Sequence, residues 1–337
     1  MKSRLYIIIA TVLGLSVVAY FFFRDLTPES FTGIRFTSRM VACIGLACLC
    51  FLAHNLCMTA RYRMLTLSRL SWLQAATVGI LCEFTSAVTP SAVGGSGLIF
   101  LYLHREGVSF SRSTMVMVSS LFLDELFLSV SCMVLMLFVP LSDLFGSSVI
   151  VSESVRLCFF AALAGITVWT AVLGVSLFWK PQIIGSLVRL ATRLPYVRRF
   201  EEKGKEMAAD MVTASKELRC NGKRFWLGPV ITTIGSWCLR YAVVMFLLLA
   251  FTSADGIWLA YARQWVLWII ALISPTPGGS GLSEWMFKEY YSDFLPSTSA
   301  TMLVAALWRL ITYYTYLICG AIVVPGWLKG LKKGHVN

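Results

Sequence analysis

Six stretches of this chain run close to the length of a membrane crossing or beyond it with few or no charges. They are about Leu5 to Phe23, Met40 to Ala60, Thr114 to Val139, Arg156 to Trp179, Phe225 to Phe251 and Ser299 to Val324. A hydrocarbon core of about 30 Å takes roughly 20 apolar residues of helix. Lipid offers no partner to a loose backbone N–H or C=O, so open sheet edges are excluded and helices remain. The expected fold is therefore all-α, a polytopic membrane helical bundle spanning 1–337 as a single integral membrane domain. With 14% charged residues and a mean hydropathy of +0.75, the chain is too apolar for a water-facing surface, and a soluble catalytic domain is not expected.

Two further apolar segments, Trp72 to Tyr102 and Tyr261 to Tyr290, are interrupted near the middle. The interruptions read Thr89-Pro90-Ser91-Ala92-Val93-Gly94-Gly95-Ser96-Gly97-Leu98 and Ser274-Pro275-Thr276-Pro277-Gly278-Gly279-Ser280-Gly281-Leu282. Proline removes a backbone donor and glycine permits positive φ, so neither segment reads as one continuous helix. Each is expected to be a broken, re-entrant hairpin of two half-helices. The order of span, broken hairpin and span occurs twice, over 40–139 and 225–324, with GGSGL in both. Loop charges place the two hairpins on opposite faces, the pattern of inverted repeats that build a site near the midplane.

The net charge of +12 resides in short loops between spans, so it reads as positive-inside topology and not as a nucleic-acid surface. Lys2 and Arg4, the run Arg61, Arg63 and Arg69, and Lys329, Lys332 and Lys333 all fall on the expected cytoplasmic side. A multi-pass protein of the cell (inner) membrane with both termini in the cytoplasm follows, its first span an uncleaved anchor. The loop 181–224 is basic and amphipathic and suits the anionic inner leaflet. The ten cysteines, Cys43, Cys48 and Cys132 among them, show no paired metal spacing. His54, His104 and His335 are too scattered for a metal site, and no nucleotide or hydrolase fingerprint is present. No cofactor and no metal are expected.

Unwound backbone at membrane depth needs polar partners, and phosphate or carboxylate suits its amides. Pro90, Gly94, Gly95, Gly97, Pro275, Pro277, Gly278, Gly279 and Gly281 are accordingly the candidate binding residues, with Glu284 beside the second cluster and Arg309 in the span beyond. Charges within spans are costly unless paired. Glu83, Asp124 and Glu125 are candidates for charge pairing. Asp124 and Arg309 hold nearly equivalent places in the two units, so a bridge or shared site between them is expected. Arg240 either points inward or snorkels, and His54 reads as a hydrogen-bonded packing residue. Trp265, Trp268, Trp285, Tyr290, Tyr291, Tyr313, Tyr314 and Tyr316 read mostly as interfacial anchors.

The motifs TPSAVGG, PTPGGSGLSE and WRLITYY, in this order, resemble the lysylphosphatidylglycerol synthase transmembrane region, a family of flippase-like membrane proteins, over essentially the whole chain. Pro90, Gly94 and Gly95 match its N-terminal motif, and Pro275, Pro277, Gly278, Gly279, Glu284 and Arg309 its C-terminal ones. Ser96 and the Asp124-Glu125 pair depart from it, since the family commonly has an acid at the first position and an acid-arginine pair at the second. The resemblance implies translocation of an anionic phospholipid or polyprenyl-linked glycolipid between leaflets, with membrane lipids as partners. The alternatives are a membrane-embedded enzyme or an accessory subunit that partners a lipid or glycan biosynthetic enzyme. Full synthases carry a large aminoacyl-transfer domain after this region. This chain ends at Asn337, soon after the last span, and is not expected to be a self-sufficient phosphatidylglycerol lysyltransferase.

Overall fold

The computed structural model describes residues 37–89, 95–145, 153–180, 182–183, 222–253, 255–272, 274, 276, 278–279 and 281–333. The expected first span, nearly all of the loop 181–224, and Pro90, Gly94, Pro275 and Pro277 lie outside the described residues. Within them the chain is all-α. Five helices are long and apolar enough to cross a membrane: Ser38–Leu65, Phe110–Phe138, Arg156–Phe178, Arg224–Leu249 and Thr298–Trp327. They coincide with the remaining predicted spans.

In chain order the helices are α1 (Ser38–Leu65), α2 (Trp72–Val88), α3 (Ile99–Arg105, entered through a 3-10 turn at Gly95–Leu98), α4 (Phe110–Phe138), α5 (Leu141–Phe145) and α6 (Glu153–Phe178). After the undescribed loop come α7 (Gly222–Leu249), α8 (Ile257–Leu272), α9 (Leu282–Tyr291) and α10 (Thr298–Arg309). α10 runs through a π turn at Leu310–Tyr314 into α11 (Thr315–Lys333). Both interrupted segments are broken as expected. α2 stops at Val88 and α8 at Leu272, at about 26 and 24 Å for 1.5 Å per residue, short of a full crossing. Helix resumes only at Gly95 and Leu282.

Local chemistry sets these boundaries. Ser71 caps α2 in a reciprocal box, accepting from the Gln74 amide at 3.2 Å while the Gln74 side chain accepts from the Ser71 amide at 2.9 Å. Ser297 caps α10 by accepting from the Ala300 amide at 3.2 Å. At the second break Gly278, Gly279 and Gly281 all take positive φ, at 56°, 68° and 86°, which a side chain would resist.

α1 and α7 form the central pair, and they run antiparallel. Arg39 donates to the Thr252 carbonyl at 2.6 Å near one end. His54 meets Ser236 in the middle, and Arg61 donates to Thr233 Oγ1 at 3.1 Å further on. Because the first broken segment follows the end of α1 and the second follows the end of α7, the chain enters the two from opposite ends of this pair. The breaks then meet: the Gly278 amide donates to the Thr89 carbonyl at 3.3 Å, and Tyr313 Oη donates to the Ala87 carbonyl at 3.1 Å.

Candidate functional site: a charged chamber where the breaks meet

A cavity of about 230 Å³ lies at this meeting point, walled by residues of both halves of the chain. Glu83, Asp124 and Glu125 from the first half and Arg240, Gly278 and Arg309 from the second line it, together with tryptophan and tyrosine rings. Charge at such a depth persists only where partners are supplied, and the partners fall into three groups.

In the first, Arg61 grips Asp124 with two parallel bonds, Nη1 to Oδ1 at 2.5 Å and Nη2 to Oδ2 at 3.0 Å. Trp237 Nε1 donates to the same Oδ1 at 2.7 Å. Arg61 is thus not part of the cytoplasmic basic run. It is 1% exposed, because α1 continues past the predicted end at Ala60. The series His54, Met58, Arg61 and Leu65 lies on its inward stripe, a spacing that could have identified it.

In the second, Arg240 donates to Glu83 Oε2 at 3.3 Å and to His54 Nε2 at 3.2 Å, with its guanidinium 4.8 Å from the Trp268 ring centre. Arginine cannot accept, so His54 Nε2 is the bare nitrogen and Nδ1 donates to the Ser236 carbonyl at 2.9 Å. His54 is the packing residue its context suggested. Arg240 points inward and does not snorkel.

In the third, Arg309 donates from Nε to Glu284 Oε1 at 2.5 Å and from Nη1 to the Gly278 carbonyl at 3.1 Å, and lies 4.6 Å from the Tyr313 ring centre. Glu284 Oε2 also accepts from the Gly281 amide at 2.5 Å, tying the start of α9 to α10. The Arg309 Nη2 is buried with no hydrogen-bond partner.

The expected bridge between Asp124 and Arg309 is therefore absent. Each is held by a different partner, because the antiparallel α1–α7 contact brings Arg61 to Asp124 and the break at Gly278 brings Glu284 to Arg309. Glu125, expected to pair, has a buried Oε2 without a partner. The aromatic residues depart from expectation too. Trp265, Tyr290, Tyr291, Tyr313, Tyr314 and Tyr316 are buried in the bundle, while Trp285 is exposed.

Among the candidate glycines, Gly95 is buried against α2. Its amide donates to Ser86 Oγ at 2.7 Å, and a side chain there would collide with the Cys82 carbonyl. A side chain at Gly278 would collide with Tyr313. Gly97 is exposed and meets nothing, and neither it, Gly279 nor Gly281 is among the residues lining the chamber.

Several membrane-crossing helices, two broken segments in contact and a charged cavity between them define a multi-pass membrane protein with an internal polar chamber. The chain belongs to the lysylphosphatidylglycerol synthase TM region family, whose profile matches residues 7–320. It is also similar to a UPF0104 membrane protein of Archaeoglobus fulgidus, at 27% identity over 267 residues, 76% of each chain.

Proposed function

We propose that this protein moves an anionic phospholipid or polyprenyl-linked glycolipid between the leaflets of the cell membrane. The observation that carries this reading is the buried Arg309 Nη2, which is without a partner in a chamber bounded by both broken segments. A buried cationic donor in that state is stabilised by an incoming anion, and guanidinium suits phosphate. At about 230 Å³ the chamber is below the range of about 300–1,000 Å³ for pockets that enclose whole drug-sized ligands. That size suits a headgroup whose acyl or prenyl chains stay in lipid.

In this reading the units 40–139 and 225–324 act as opposed repeats rocking about the chamber, and both termini lie in the cytoplasm. Opposed chain entry at the two ends of the α1–α7 pair supports this arrangement. Reconstitution into vesicles carrying a fluorescent anionic lipid tests it. Protein-dependent transfer between leaflets is the expected result, and its absence for every phospholipid and polyprenyl phosphate offered would overturn the proposal.

A further inference from the structure

The ion pairs of the chamber leave one acid over. Glu83 is held by Arg240, Asp124 by Arg61, and Arg309 by Glu284. Glu125 belongs to none of these pairs among the described residues, and its Oε2 is buried without a hydrogen-bond donor. It lines the same cavity as Arg309. An ionised carboxylate so placed lacks both solvent and counter-ion, a costly state in a membrane interior.

Two kinds of cation could relieve it. A metal ion needs several oxygen ligands, but the neighbouring Asp124 has both oxygens committed to Arg61, with Trp237 on Oδ1 as well. Among the described residues no group of His, Cys, Asp or Glu could hold a metal. A proton needs only the one free oxygen. An anionic headgroup at Arg309 would also share the chamber with Glu125, and like charges in a poorly solvated space disfavour one another. Protonating the carboxyl removes that repulsion.

We propose that Glu125 is the chamber's proton-binding site, protonated when an anionic headgroup is bound and ionised when the chamber is empty, so that proton and lipid cross together. This rests on the translocation reading and adds its driving force.

The titratable groups around the chamber are already engaged or are of another kind. Beside Asp124 on α4 itself stand Arg61, His54 and Tyr62 of α1, Glu83 of α2, Arg240 and Tyr241 of α7, and Arg309 of α10. Other charged groups on the helices packed against α4 lie towards its ends. His104 is bound to the Val108 carbonyl, Arg105 to Trp327, Arg263 to Asp293, and Arg156 lies over Phe145.

The test uses the full chain in vesicles with fluorescent phosphatidylglycerol, with and without an imposed pH gradient. One pH unit is about a tenfold ratio of proton activity, so a gradient of that size should support up to about tenfold leaflet asymmetry in one of its two orientations. In Glu125→Gln the ratio of rates with and without the gradient should fall to about one. Glu125→Asp and the exposed Asp255→Asn should keep the dependence. Wild-type transfer indifferent to the gradient, or a Glu125→Gln protein as responsive as wild type, would overturn the proposal while leaving translocation intact.

A wild type that moves no lipid would instead overturn the translocation reading. Infrared spectroscopy then decides Glu125 separately. Adding phosphatidylglycerol should raise a protonated-carboxyl band in the wild type that Glu125→Gln lacks, and no such band in the wild type would overturn the assignment.

Discussion

The amide of Gly278 donates to the carbonyl of Thr89 at 3.3 Å, one residue from each broken segment, so the two interruptions are a single structural feature. The contact needs Gly278 at φ 56° with its missing side chain facing the Tyr313 ring. Gly278→Ala should cost at least about 1–2 kcal/mol for the left-handed backbone alone, with the collision in addition. Gly97→Ala, on an exposed turn with open space around it, should stay within about 0.5 kcal/mol. Unfolding of the purified proteins in detergent measures both, and equal effects would contradict the packing described.

The Arg61–Asp124 fork joins α1 to α4, and Arg61 also reaches α7 through Thr233. Removing one member leaves the other buried and unmatched, a loss of about 3–5 kcal/mol in comparable buried pairs. Arg61→Met and Asp124→Leu should each destabilise to that degree, while the double variant should recover most of the loss. A double-mutant cycle on denaturant midpoints reads the coupling. Additive losses would show that the fork contributes little.

Arg309 uses its planar geometry on Glu284 and the Gly278 carbonyl at once, which a lysine cannot reproduce. Arg309→Lys should lower lipid transfer by about tenfold or more, roughly the worth of one charge-assisted hydrogen bond. Glu284→Gln, which keeps an acceptor, should lower it less. The fluorescent-lipid assay compares them, and a Lys variant with unchanged transfer would remove Arg309 from the substrate path.

The far end of the first broken segment is fastened to the last helix. Arg105 donates to the Trp327 carbonyl at 2.6 Å and lies 3.5 Å from that ring's centre, while Trp327 Nε1 donates to Glu106 at 3.1 Å. Cation–π contacts of this kind contribute about 0.5–2 kcal/mol. Trp327→Ala should speed hydrogen exchange across Ile99–Arg105 several-fold and leave α8 and α9 unchanged. A uniform increase would point to global loosening instead.

The long spans were legible because some twenty apolar residues admit few readings. The breaks were legible because proline and glycine act on their own backbone. Ion-pair partners were not, since they depend on which helices touch and how each is rotated. Asp124 and Arg309 hold matching places in sequence yet are gripped by Arg61 and Glu284. Arg61 was masked by its neighbours Arg63 and Arg69, and only its place on the stripe with His54 separates it from them. The aromatic residues misled for a related reason. Their composition suits an interface, but Tyr313 and Tyr316 are drawn inward by hydrogen bonds to the Ala87 carbonyl and to Asn55.

The π turn at Leu310–Tyr314 has a consequence for how this stretch tolerates change. One wide turn accommodates about one residue more than α geometry would, and each residue of an α-helix advances the azimuth by about 100°. Deleting any single residue from 310–314 would restore ordinary pitch and swing all of α11 by that angle. Tyr316 would leave Asn55, and Gly320 would leave the Phe84 ring that now fills the space where a side chain would stand. WRLITYY thus works as a phase adjuster between Arg309 and the helix below it, and its length constrains the protein as much as its letters do.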